Sequence, residues 1–272
     1  FAERRQAGDA QALAAAGIRK HDEFGRQLAL AVRAFVARRD DGKTVIAGYP
    51  WFLDWGRDSL ICARGLLAAG LVEEVRQLLL LFARFEDDGT LPNTIHGEDA
   101  SNRDTSDAPL WFGVVCEELA QALPRGQAAE FFATPVVATG RTVAAVLRSI
   151  AEGCRDGTPN GIRMDPGSGL LWSPSHFTWM DTNHPAGTPR EGYPVEIQAL
   201  WVRLLRLVAR LAPKAEARAW TALADQAAGS LQDRFWLQEE GWLADGLLAP
   251  AGRPAAEAVV DHALRSNALL VV

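Results

Sequence analysis

The sequence is poor in cysteine and lysine, and no long apolar run interrupts it. Cysteine occurs 3 times in 272 residues, at Cys62, Cys116 and Cys154, far apart and with no CxxC pair. A disulfide framework and a thiolate zinc site are thereby excluded, and the thiols read as reduced, mostly buried and cytoplasmic. No apolar stretch approaches the ~20 residues that a membrane helix needs. Lys plus Arg is 28 against 34 Asp plus Glu, a net charge of −6, so no basic face is expected for a nucleic-acid backbone. The positive charge is almost all arginine, 25 Arg against 3 Lys, which points to GC-rich prokaryotic coding. The five histidines, His21, His96, His176, His184 and His262, are dispersed, with no HExxH pair for zinc. There is no P-loop or Rossmann glycine pattern and no GxSxG elbow. Asp165-Pro-Gly-Ser-Gly169 lacks the acidic spacing of a calcium loop. Neither a metal nor an organic cofactor is expected.

What is present is a globular composition with 48% apolar residues and 9 Trp, which excludes disorder. Apolar residues recur at helical spacing over most of the chain. Helices are expected over 27–38, from Asp58 to a glycine cap at Gly70, over 71–85, from Thr105 or Ser106 to Leu123, and over 135–152, 194–211 and 215–235. A last helix is expected from near Val259. The one strand signal is a small hairpin, Gly161–Met164 and Leu170–Trp172 around a Pro/Gly turn. No linker divides the chain, so 1–272 reads as a single, all-α domain. The chain begins Phe1-Ala-Glu-Arg-Arg and ends on Leu269-Leu-Val-Val272, so it reads as part of a longer protein.

Three loops, 41–57, 86–104 and 153–193, are longer than the ~12–15 residues usual in compact domains, which marks them as functional. Two of them set Trp beside carboxylate and Arg: Trp51-Phe-Leu-Asp54-Trp55-Gly-Arg57-Asp58, and Trp172 followed by Trp179-Met-Asp181. Sugars ask for both ingredients, because their C–H faces pack on aromatic rings and their hydroxyl pairs suit carboxylate and guanidinium forks. Glycosidases use two carboxyl groups, one kept protonated in poorly solvated surroundings. Asp181, beside Trp179 and Met180, has such surroundings. Each carboxylate also has a plainer reading. Asp58, Asp107 and Glu196 fall at helix starts, where an acidic residue caps or meets the dipole. Trp201, Trp220 and Trp236 fall in or at the end of helices and read as core. His176 and His184 stand near Asp181 and are candidates to support it.

Several of these segments resemble the amylo-α-1,6-glucosidase domain of glycogen debranching enzymes. They are Gly48-Tyr-Pro-Trp-Phe-Leu-Asp-Trp-Gly-Arg-Asp58, Leu91-Pro-Asn93, Thr105-Ser-Asp-Ala-Pro-Leu-Trp-Phe112, Thr178-Trp-Met-Asp181, Thr188-Pro-Arg-Glu-Gly-Tyr-Pro-Val-Glu-Ile197 and Arg265-Ser-Asn267. The matches are collinear from about Ala47 to the end of the chain. Asp104 stands where the family motif often has Asn, and His176-Phe177 where it often has Gln. The resemblance implies an (α/α)6 toroid of the six-hairpin glycosidase type, here incomplete, because the sequence holds only about seven or eight helical segments. It implies inverting hydrolysis of α-1,6-linked glucose at branch stubs, in the breakdown of glycogen and related α-glucans. The general-acid role falls on Asp181. Trp55, Arg57, Asp58, Asp107, Trp111, Trp179, Arg190 and Glu196 fall on positions expected to bind the substrate. The family's general base lies downstream of the Arg-Pro-Asn segment and is expected beyond Val272. The alternatives are a glucoamylase- or trehalase-like enzyme and a non-catalytic α-glucan-binding protein.

Overall fold

The computed structural model describes residues 2–19, 21–48, 51–137, 139–182 and 187–271. Among them are nine α-helices: α1 (Ala2–Ala15), α2 (Glu23–Ala34), α3 (Gly56–Ala68), α4 (Val72–Ala83), α5 (Ala108–Ala122), α6 (Gln127–Ala133), α7 (Val143–Asp156), α8 (Val195–Leu211) and α9 (Lys214–Phe235). Short antiparallel strands punctuate them. β1 (Val36–Arg39) pairs with β2 (Gly42–Val45), β3 (Asp54–Trp55) with β4 (Thr94–Ile95), and β5 (Arg163–Met164) with β6 (Leu171–Trp172). β7 (Gly192–Pro194) forms one edge of a three-stranded sheet whose centre is β10 (Gly246–Leu248) and whose other edge is β11 (Val259–Asp261). β8 (Trp236–Leu237) pairs with β9 (Trp242–Leu243). The chain is thus chiefly helical, as expected, with small sheets between its helices that the sequence did not announce apart from one hairpin. Most of these strands are two to four residues long, too short to display a period.

The chain divides into two compact units. One holds Phe1–Phe85, Pro92–Asn102 and Val115–Val143, the other Glu86–Leu91, Arg103–Val114 and Ala144–Val272. In the first unit, Asp22 caps α2 by accepting the Gly25 N–H at 2.8 Å. α2 ends at Ala34, short of the expected Arg38. The apolar residues that seemed to prolong it belong instead to β1, which turns back through Asp40 at φ +50. α3 ends at Ala68 and is closed, as expected, by Gly70, whose φ is +75. The Leu71 N–H reaches the Leu66 carbonyl and the Gly70 N–H that of Leu67, both at 2.9 Å, which is a Schellman closure. α4 buries Val75, Leu78, Leu79, Leu81 and Phe82, as its nearly continuous apolar run requires. α6 was not expected, because seven residues give fewer than two helical repeats.

In the second unit α8 and α9 form a hairpin around Ala212 and Pro213. α7 begins at Val143, not Pro135, because Pro135 and Thr142 bridge in extended form. The β5–β6 hairpin is where the sequence puts it. The helix expected from Val259 is corrected to β11 followed by a 3-10 turn over Ser266–Leu270. Trp201 and Trp220 are buried, but Trp236 is 46% exposed and hydrogen-bonds the Gln238 side chain, so its core assignment is corrected. The core around the three-stranded sheet is made by Leu170, Trp172, Tyr193, Val195, Phe235 and Leu247.

The three cysteines are free thiols; Cys116 and Cys154 are buried, and burial pushes Cys154 up to about 12. At pH 8 an aromatic disulfide reagent is expected to titrate about one thiol in the native protein, Cys62, and all three in denaturant. Three fast-reacting thiols in the native protein would contradict this burial.

Candidate functional site

The candidate residues fall in both units. In the first, Trp55 is the N-cap of α3, and Arg57 and Asp58 occupy its first turn, so the capping reading of Asp58 has its geometric basis. Arg57 is buried, Trp55 half-buried and Asp58 exposed. The segment is pinned by β3–β4 pairing and by the Gly56 N–H, which donates to the Asn93 carbonyl at 2.9 Å. Two of the expected motifs, 48–58 and 91–93, are thus joined there. Buried Asp54 pairs with Arg39, which also reaches the Gly97 carbonyl; burial holds the Asp54 carboxyl above its ordinary pKa despite that cation. Trp51, at 85% exposure, stands in solvent. Tyr49 and Pro50 of the same motif lie outside the described residues, as does His184.

The second unit brings four of the motifs together. Asp107 precedes α5 and accepts the Thr105 hydroxyl at 2.7 Å; it is Thr105 whose hydroxyl also accepts the Ala108 N–H at 3.3 Å. Ser106 donates its N–H to the Phe177 carbonyl at 2.8 Å, and its hydroxyl lies 2.8 Å from that of Ser173. Trp111, one turn on, is buried. The segment 105–112 is therefore fastened to the loop that carries Thr178–Asp181. Asp181 itself is half-buried, as is His176. His176 has φ +63 and donates its N–H to the Pro189 carbonyl at 3.0 Å.

Arg190 is the hub. Its backbone is left-handed, φ +50, and its side chain is buried. Its Nε donates to Asp245 Oδ2 at 2.9 Å. Its Nη1 donates to Thr178 Oγ1 at 3.2 Å and to Glu196 Oε1. Its Nη2 donates to Glu196 Oε2 at 2.7 Å and to the Asp245 carbonyl at 3.1 Å. All five guanidinium N–H donors are thus used. Burial works against the charge, but the bonds and fields of Glu196 and Asp245 outweigh it and hold Arg190 above the ordinary arginine pKa. Asp245 accepts further from Arg265 Nη1 at 2.9 Å and from Asn267 Nδ2 at 2.7 Å. Asn267 Oδ1 in turn accepts the Trp179 indole N–H at 2.8 Å.

The local fold explains why these groups meet. β7 pairs with β10 in the register Gly246↔Pro194, which sets Asp245 beside the start of α8, where the Val195 N–H donates to its carbonyl at 3.0 Å. β11 pairs on the other side of β10, and the Asp245 N–H donates to the Asp261 carbonyl. Gly192 makes the approach possible. Its φ is +127, and a Cβ there would stand 2.3 Å from the Leu247 carbonyl oxygen. Glu196 lies in the first turn of α8, as its plainer reading expects, but both of its oxygens are held by Arg190 and it is closed to solvent. Asp245 was not among the expected site residues. It lies between short strands, and the signal that could have found it is Trp242-Leu-Ala-Asp245, a Trp and a carboxylate at the same spacing as Trp51 and Asp54.

The arrangement sets carboxylates and indoles on loops and on the first turns of helices, and in the second unit braces them with buried polar bonds. The amylo-alpha-1,6-glucosidase family profile matches residues 29–272, and the chain belongs to that family of carbohydrate-acting glycosidase domains. No curated protein matches it. No described helix is long and apolar enough to cross a membrane.

Removing one partner from a buried ionic network leaves the others uncompensated. Asp245→Ala is expected to cost about 3–5 kcal/mol of unfolding free energy in urea titration, and a loss below about 1 kcal/mol would contradict the network's role.

Proposed function

We infer that this domain is an inverting α-glucosidase of the glycogen-debranching type, acting in the cytoplasm on α-1,6-linked glucose at the branch stubs of α-glucans. Its nine described helices are read as part of an (α/α)6 toroid, and 1–272 as belonging to one catalytic domain. The observation that carries the reading is the bracing of the Thr178-Trp-Met-Asp181 segment by residues of the family's own motifs, Arg190 at Thr178 and Asn267 at Trp179 and Met180.

Asp181 is the general acid that protonates the glycosidic oxygen as the bond to the leaving sugar breaks. Arg57 and Asp58 take the hydroxyls of the terminal glucose through paired, charge-assisted hydrogen bonds. Trp55, Trp111 and Trp179 contribute apolar ring area for its C–H faces, and Asp107 a hydroxyl acceptor. Arg190 and Glu196 are read as the rigid support of the Thr178–Asp181 loop, because their polar atoms are spent on one another and on Thr178. For the same reason Glu196 is a poor general base. That role needs a solvated carboxylate about 6.5–9.5 Å from the acid, with room for the attacking water.

The test is hydrolysis of an isomaltosyl-branched limit dextrin, beside maltose and trehalose, with the anomer of the released glucose followed by proton NMR. Glucose released first as the β-anomer, from the branched substrate in preference to the other two, is expected. Asp181→Asn is expected to lower kcat by about 10²–10⁴-fold while a glucose mimic still binds. Turnover close to wild type in that variant would overturn the assignment of the acid.

A further inference from the structure

Trp179 presents a physical puzzle. It is 50% exposed, in a loop without helix or strand, yet its indole N–H is tied at 2.8 Å to an almost fully buried asparagine, Asn267. An exposed indole has water to bond and gains little by reaching inward. The bond is better understood from the other side. Both polar atoms of the Asn267 side chain are used, and two of their three contacts are with the residues just before Asp181. Its Oδ1 takes the Trp179 N–H. Its Nδ2 donates to Asp245 Oδ1 at 2.7 Å and lies 3.6 Å from Met180 Sδ.

The direction of that amide is dictated by charge. Asp245, held by Arg190 and Arg265, is an ionised carboxylate and can only accept. It therefore compels Asn267 to turn its NH2 inward and its carbonyl oxygen toward Trp179. An indole can only donate, so the sense required at one end is the sense supplied at the other. Reversing the amide would break both bonds at once. Among the described residues, Asn267 alone is hydrogen-bonded to the side chains of both residues preceding Asp181.

Building on the functional reading above, we propose that Asp245 and Asn267 are positioning residues for the general acid: the Asp245 charge orients the Asn267 amide, which clamps Trp179 and Met180 and so fixes where Asp181 is presented. Neither touches the sugar. Misplacing a reacting group by about 1 Å can cost on the order of 10²-fold in rate, so the clamp should appear in kcat and not in ground-state binding.

The decisive variant is Trp179→Phe, which removes the N–H and keeps an aromatic face in a half-exposed position where folding is not at risk. On the branched dextrin kcat is expected to fall about 10- to 100-fold, with KM within about twofold of wild type and the melting temperature little changed. Asn267→Leu is the partner variant. Nitrogen-15 spectra of the indole groups give a readout that needs no activity. The Trp179 resonance, identified by its loss in Trp179→Phe, should be protected from solvent exchange in the wild type and exposed in Asn267→Leu. Unchanged kcat in Trp179→Phe would overturn the proposal, and so would a raised KM at constant kcat, which would make Trp179 a stacking surface alone. A Trp179 resonance indifferent to Asn267→Leu would remove the clamp itself. A wild-type enzyme that turns over no α-glucan, with the indole clamp intact, would instead remove the functional reading on which the proposal rests.

Discussion

The buried guanidinium of Arg190 is the constraint on which the second unit depends. A fixed cation out of water is tolerable only when its donors are satisfied, and here all five are. Meeting that demand dictates much else. The strand that carries Asp245 must pair in one register, the first turn of α8 must expose Glu196 to the loop, and the residue at 192 must be glycine. The left-handed backbone at Arg190 itself, worth about 1–3 kcal/mol of strain, persists because the surroundings over-determine it. Lysine could not replace it, since a point charge with three donors cannot serve two carboxylates, a hydroxyl and a carbonyl in one plane.

Rigidity of this kind suits the chemistry proposed for the domain. An acid that must protonate one oxygen of a flexible polysaccharide gains from being held still before the substrate arrives. The Thr178–Asp181 loop has no helix or strand of its own to stiffen it. It borrows order from its neighbours, through Ser106 to Phe177, Arg190 to Thr178 and Asn267 to Trp179. The helices behind these residues serve chiefly as a frame that delivers the ends of short strands and loops to one corner.

Much of this was legible in the sequence, and the failures follow a physical pattern. Long helices with an apolar face, α4, α8 and α9, were placed within a residue or two, because burial of one face imprints a period over several turns. The two- to four-residue strands left no period, so Val36 was assigned to the helix before it and Val259 to a helix that does not form. Trp236 was misplaced because a helix terminus does not say which way the next residue turns. At the site, the motifs themselves were visible as Trp, Arg and carboxylate beside one another. Their joining was not. Asp245 is about fifty residues from Glu196 in sequence, and its importance arises only from a strand register that no local signal encodes.

The two fully enclosed carboxylates of the network, Glu196 and Asp245, are held by Arg190, which is as fully enclosed, and Asp245 also by Arg265, which is partly open and shared with Asp261. Dissolved ions act over a screening length of about 8 Å at physiological strength and have little purchase on charges shut away from water. The surface pairs of the chain, Arg64 with Glu118 or Arg84 with Asp41, are different, being open to solvent and readily screened. The two populations of arginine therefore answer to different surroundings. Changes in the ionic composition of the medium will loosen the periphery of the molecule first, while the corner that holds Trp179 and Asp181 keeps its geometry.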